Sequence, residues 1–345
     1  MMRKLLTLFA ILIPGQIASQ VSTILPANAA LQVLYDGGFF TEGPAVAPDG
    51  SVYFSDITFT SAGGEPPEAG HILRYDPTTG TTAVFRSPSG MSNGLKFDAR
   101  GDLLACEGAD HGGRRVTRTD LTTGKAVILA SHYNGYPLNA PNDLTVDERG
   151  RIYFSDPKYL GYEPMTQEIF AVYRIDPDGA LTRVVSDAGK PNGVAVSPDQ
   201  QTLYVVSNHN GAHAFDRLPA GSAPPPKGRM ALLAYDLATD GSAMFRQVLV
   251  DYAPNDGPDG LVCDAAGHLY VAVRDATRPG IYVYSPEGEE LAYIPTPQLP
   301  TNVAFGRGAT ATTLYVTYGD ASTGGTAVLA KIETLQKGYQ LPSLP

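Results

Sequence analysis

One motif returns six times along this chain. A small polar group precedes a short apolar strand, a turn of D-x-x-G type and a second strand. The copies begin at Glu42, Asn93, Asn142, Asn192, Asp259 and Asn302. They run into PDGSVYFSD, DARGDLLACE, DERGRIYFSD, SPDQQTLYVVS, DAAGHLYVAV and GATATTLYVTY. Intervals of 51, 49, 50, 67 and 43 residues, each with strand–turn–strand content, are the period of propeller blades. Most copies add a third strand ending in R-x-D or Y-x-D, as in LRYDPTTG and VYRIDPDG. The expectation is an all-β fold, a six-bladed β-propeller of four-stranded antiparallel blades around a central channel. The segment Leu31 to Tyr35 precedes the first copy and is predicted to close the ring as an outer strand of the last blade. The long fourth interval holds Leu218 to Lys227 with its Pro224-Pro225-Pro226 run, read as a loop insertion.

Composition agrees with short strands and tight turns. The 345 residues include 37 Gly and 28 Pro, no Trp, and only 17% charged residues. A net charge of −10 argues against nucleic acid or an anionic membrane as partner. The N-terminus reads as a secretory signal over residues 1–29: Arg3 and Lys4, an apolar run from Leu5 to Pro14, then Ala27-Asn28-Ala29 as a cleavage signal. The apolar run is too short to span a bilayer, so no membrane association is expected after cleavage. Residues 30–345 then form one propeller domain, exported to the periplasm or the medium. A closed ring has few free edges, so a monomer is expected. Cys106 and Cys263 fall in blades 2 and 5, across the ring, and are expected to be free.

In a propeller the innermost strand of each blade lines the axis. The six motif residues therefore converge, although they are far apart in sequence. Two carboxylates and four carboxamides in one ring make a set of hard oxygen donors, suited to Ca²⁺, Mg²⁺ or Mn²⁺. Asn-Gly and Asp-Gly are also common turn dipeptides, so the signal lies in their recurrence in register. His111 and His209 follow second strands and are candidates for loops over the channel mouth. No G-x-S-x-G elbow and no phosphate-binding glycine loop occurs.

At these residues the chain resembles the gluconolactonase/SMP-30 (regucalcin) family, from about Leu34 to Thr317. It is most similar to the exported bacterial members, through CEGADHGGRRVTRTD, APNDLTVDERGRIYFSDPKY and KPNGVAVSPDQQTLYVVS. The resemblance implies one divalent metal ion (Ca, or Mg, Mn, Zn or Fe) held by Glu42, Asn192 and Asp259, with Asn142 beside it as ligand or substrate contact. It implies Asp259 as the proton-transfer residue. Asn93 and Asn142 are then candidates to orient the substrate, and His111, as a loop histidine near the mouth, is a substrate-binding or general acid/base candidate. The implied reaction is hydrolysis of a small-molecule lactone such as gluconolactone to the aldonic acid. Alternatives are a lactonase or esterase for a non-sugar ester, a strictosidine-synthase-like propeller, and a non-catalytic binding propeller. One departure bears on substrate: Ala140 stands where animal members carry an Arg facing the sugar.

Overall fold

The computed structural model describes residues 23–58, 69–211 and 227–342. The cationic and apolar parts of the N-terminal signal, and nearly all of the Leu218–Lys227 insertion, lie outside the described residues. Six four-stranded antiparallel sheets form a ring, with no α-helix among the described residues. Blade 1 is representative: Thr41–Val46, Val52–Asp56, His71–Asp76 and Thr81–Arg86 run from axis to rim, each pairing with the next. The last blade takes its outer strand from the N-terminal side, where Gln32–Gly38 pairs with Ala327–Glu333, so the predicted closure is present.

Burial follows the layers. Inner and second strands are covered on both faces, which is why VYFSD, LLACE, IYFSD and LYVAV read as continuous buried runs. Outer strands face solvent, as in Thr81–Arg86, where every residue is exposed or half-buried. Apolar clusters form between adjacent blades, for example Phe54 and Leu73 of blade 1 with Tyr315 and Leu329 of blade 6. Cys106 and Cys263 are free and buried, as expected.

The inner strands carry the feature that builds the site. Pairing with the second strand is interrupted between Glu42 and Ala45, Ser92 and Leu95, Pro191 and Val194, Pro258 and Leu261, and Pro300 and Asn302. Such bulges re-aim side chains. The Asn-Gly and Asp-Gly dipeptides are thus not hairpin turns but breaks within the axial strands. Their glycines also let neighbouring blades close up. A Cβ on Gly193 would stand 2.5 Å from the carbonyl oxygen of Asp259, and one on Gly94 2.5 Å from Oδ1 of Asp143. Any larger residue would hold the inner strands apart.

Candidate functional site

A cavity of about 320 Å³ opens at one end of the axis. It is lined by Glu42, Asn93, Asn142, Asn192 and Asp259, so five of the six motif residues meet where the repeat predicted. Phe40, Ile57, Met91 and Leu160 supply apolar wall, and Tyr159, Asn208 and Arg274 add polar groups.

Local structure holds these side chains in place. Asp156, at the end of the second strand of blade 3, accepts hydrogen bonds from the backbone N–H groups of Asn139 (2.8 Å) and Ala140 (2.7 Å), fixing the loop that delivers Asn142. Asp56 does the same in blade 1, accepting from Phe39 and Phe40 at 2.8 Å each. The shared F-S-D ending of those two strands is therefore a loop clamp. Its serines act too: Ser55 Oγ donates to the carbonyl of Asn93 (2.7 Å), and Ser155 Oγ accepts from Asp143 N–H (3.1 Å).

Asp143 is the residue the repeat did not reveal. Blade 3 reads Asn-Asp where blades 1, 2, 4 and 5 place Gly after the motif residue. The side chain in that slot becomes a third buried carboxylate on the axis, 6% exposed. Its Oδ1 accepts from Leu144 N–H at 2.8 Å. An acid in a glycine column was the available signal. Asn302 behaves differently from the expected oxygen donor. Its Oδ1 accepts from Val303 N–H (2.8 Å), so its Nδ2 faces Glu42 Oε2 (3.3 Å) and Asp143 Oδ2 (3.5 Å). It ties two carboxylates together and presents no oxygen to the cavity. Asn208 and Tyr159 also escaped the sequence reading, because Asn208 ends the second strand of blade 4 and Tyr159 follows that of blade 3, in positions without a shared pattern. Asn208 Nδ2 donates to the carbonyl of Pro258 (2.8 Å), and Tyr159 Oη donates to the carbonyl of Asn208 (2.9 Å).

His111 lies elsewhere. It is exposed, in a groove on blade 2 with Arg86, Glu107 and Arg115, and its backbone N–H donates to Glu163 Oε1 (2.8 Å). It does not line the channel cavity. His209 is not among the lining residues either. Neither loop leads its imidazole to the axis.

The electrostatics are those of crowded acids. Burial, then Asp259 and Asp143, push the Glu42 carboxyl well above its ordinary range. Burial raises Asp259 to about 6, opposed by Arg274, whose Nη1 lies 3.5 Å from Asp259 Oδ2. Burial raises Asp143 to about 6, opposed by its bond from Leu144 N–H and by Lys96. Two amide oxygens are also left wanting: Asn93 Oδ1 and Asn208 Oδ1 are shielded from water and have no hydrogen-bond partner. Buried acceptors without partners are rare, and two on one cavity mark a place for a donor or a cation. The oxygen donors around the acids therefore fit a hard divalent ion, which would relieve their repulsion. Among the described residues no three acidic, histidine or cysteine side chains are placed to hold an ion by themselves. A cation here would have to take amide oxygens as well.

Comparison with known proteins agrees with this architecture. The family described as the SMP-30/Gluconolactonase/LRE-like region matches residues 40–320. The chain is 28% identical over 299 residues to a gluconolactonase of Zymomonas mobilis, covering 83% of this chain and 79% of that protein. It is 29% identical over 291 residues to a pentonolactonase of Haloferax volcanii, covering 82% and 84%. Among solved structures, a gluconolactonase from Xanthomonas campestris superposes with a TM-score of 0.69 at 30% identity, covering 89% of this chain and 90% of the other.

Proposed function

Because this chain belongs to the SMP-30/gluconolactonase/LRE-like family, we propose that it is a lactone hydrolase whose active centre is the axial cavity, and that its substrate is a sugar-type (aldono-)lactone. The observation that carries the reading is the convergence of buried Glu42 and Asp259 with the carboxamides of Asn93, Asn142 and Asn192 on one cavity, with buried Asp143 tied to Glu42 behind them through Asn302 Nδ2. A scaffold that only binds partners has no use for carboxylates held against their own repulsion.

Glu42, Asn142, Asn192 and Asp259 are the residues that would hold a divalent cation, with Ca²⁺ the best match to all-oxygen donors. Such a cation supplies Lewis acidity toward a carbonyl oxygen. The chain's own residues supply the rest. Asp259 is the buried carboxylate on the cavity that Arg274 touches, and it is the group placed to exchange a proton. It takes a proton from the water that adds to the lactone carbonyl carbon. It returns that proton to the ring oxygen as the acyl C–O bond breaks, giving a hydroxy acid. Arg274 touches Asp259, donates to the carbonyl of Pro300 (3.2 Å) and lies over the Phe40 ring at 5.5 Å, so it fixes the position of the acid. Asn93 and Asn142 line the approach and orient the substrate hydroxyls, while the Phe40–Ile57–Met91 wall excludes water from one side.

That wall, together with Ala140, also favours a second reading, a lactone or ester less hydroxylated than gluconolactone. Titration of released acid at constant pH tests both. The purified protein is challenged with aldonolactones and aliphatic lactones after chelation, and again with Ca²⁺, Mg²⁺, Mn²⁺, Zn²⁺ or Fe²⁺ restored. Turnover confined to aldonolactones supports the first reading, and turnover confined to aliphatic lactones the second. No turnover on either would sink both.

A further inference from the structure

The export signal expected over residues 1–29 ends at Ala27-Asn28-Ala29, yet the chain just before that point is part of the folded core. Ile24 is only 1% exposed. It belongs to the apolar cluster between blades 5 and 6, with Val262, Tyr270, Val283, Phe305, Leu314 and Ile332. Leu25, Ala29 and Leu31 pack against the same cluster. The backbone is tied as well. The carbonyl of Ile24 accepts from Leu335 N–H (2.8 Å), and the carbonyl of Thr23 accepts from the Gln336 side-chain amide (2.8 Å). Pro26 and Ala29 close a turn, Ala29 N–H donating to the Pro26 carbonyl at 3.0 Å, from which the chain enters the outer strand of blade 6.

We propose that residues 23–29 are retained in the functional protein as part of the core between blades 5 and 6, and that signal processing takes place before Thr23 rather than after Ala29. A cut after Ala29 would remove a fully buried isoleucine from the interface between blades 5 and 6. It would leave a cavity there and strip Leu335 and Gln336 of their partners. The segment covers part of the interface between blades 5 and 6 and leads into Gln32–Gly38, the outer strand that closes the ring. Small residues at Ala18-Ser19 follow the apolar Leu5–Pro14 run and offer an earlier cut of the small-residue type.

The full-length chain, expressed with its own N-terminus in a bacterial host, gives the test by intact mass and N-terminal sequencing of the folded product. A first residue at or before Thr23 is expected. An uncut chain would agree with retention of residues 23–29 but overturn processing before Thr23. A first residue of Ala30 overturns the proposal. Thermal melting supplies the second arm: Ile24→Ala in the full chain lowers Tm by about 5 °C or more, and Ile24→Val by less. An unchanged Tm for Ile24→Ala would mean that the segment is not part of the folded core and would overturn the proposal.

Discussion

Gly94 of blade 2 rests directly on Asp143 of blade 3. Its N–H donates to the carbonyl of Asn142 (2.7 Å), and a Cβ on Gly94 would stand 2.7 Å from that same oxygen and 2.5 Å from Asp143 Oδ1. The atoms it would meet are backbone or held by backbone, since Oδ1 is already bound to Leu144 N–H. Gly94→Ala therefore has to push the inner strands of two blades apart. A loss of about 1–3 kcal/mol in stability and a fall in lactone turnover are expected, checked by denaturant melts and initial rates. Full stability in the variant would mean that the blades are less tightly apposed than described.

Asp259→Asn keeps the shape and removes the base. A fall in kcat of about 10²–10⁴-fold is expected if this carboxylate carries the proton. Near-normal turnover would move that role elsewhere, and Asp143 is then the next carboxylate to replace.

Divalent ions should act on stability as well as rate. An ion that binds only the folded chain adds about 2.7 kcal/mol at a hundred times its Kd. Calcium or a related ion is expected to raise the melting temperature of chelator-treated protein, and Glu42→Gln to abolish most of that rise. Melting curves that ignore every ion, with activity intact, would exclude a metal from the site.

The loop clamp at Asp156 predicts a pH dependence. Burial raises this carboxyl from an ordinary value near 3.8 to about 7, despite two N–H donors that favour the anion. Folded protein therefore holds a proton that the unfolded chain has released between about pH 4 and 7. Stability is highest below the unfolded value and falls as pH rises through the folded one, by an amount on the order of 2–4 kcal/mol. Asp156→Asn should lose that component, flattening Tm against pH over this window. Parallel profiles for the two proteins would show that Asp156 is already ionised in the fold.

Arg274 offers a way to separate positioning from binding. Arg274→Lys keeps a cation near Asp259 but not the reach to Pro300 or the flat face over Phe40. A fall in kcat with little change in KM is expected for Arg274→Ala, partly restored by Lys. A change confined to KM would instead make Arg274 a substrate contact.

The amino-acid sequence alone determined the blade number, the closing outer strand and the convergence of Glu42, Asn93, Asn142, Asn192 and Asp259. The reason is repetition: a slot that recurs once per blade occupies the same height on the axis in every blade, so register in sequence becomes proximity in space. Tertiary structure decided what the repeat does not encode. Asp143 becomes an axial carboxylate because blade 3 fills a glycine slot with an acid. Asn302 turns its nitrogen inward because Val303 N–H claims its oxygen. Tyr159 and Arg274 reach the cavity, and His111 does not, because each lies beyond a strand end on a stretch whose course depends on contacts with other blades, and Asn208 reaches it from a strand end that bonds across to Pro258 of blade 5.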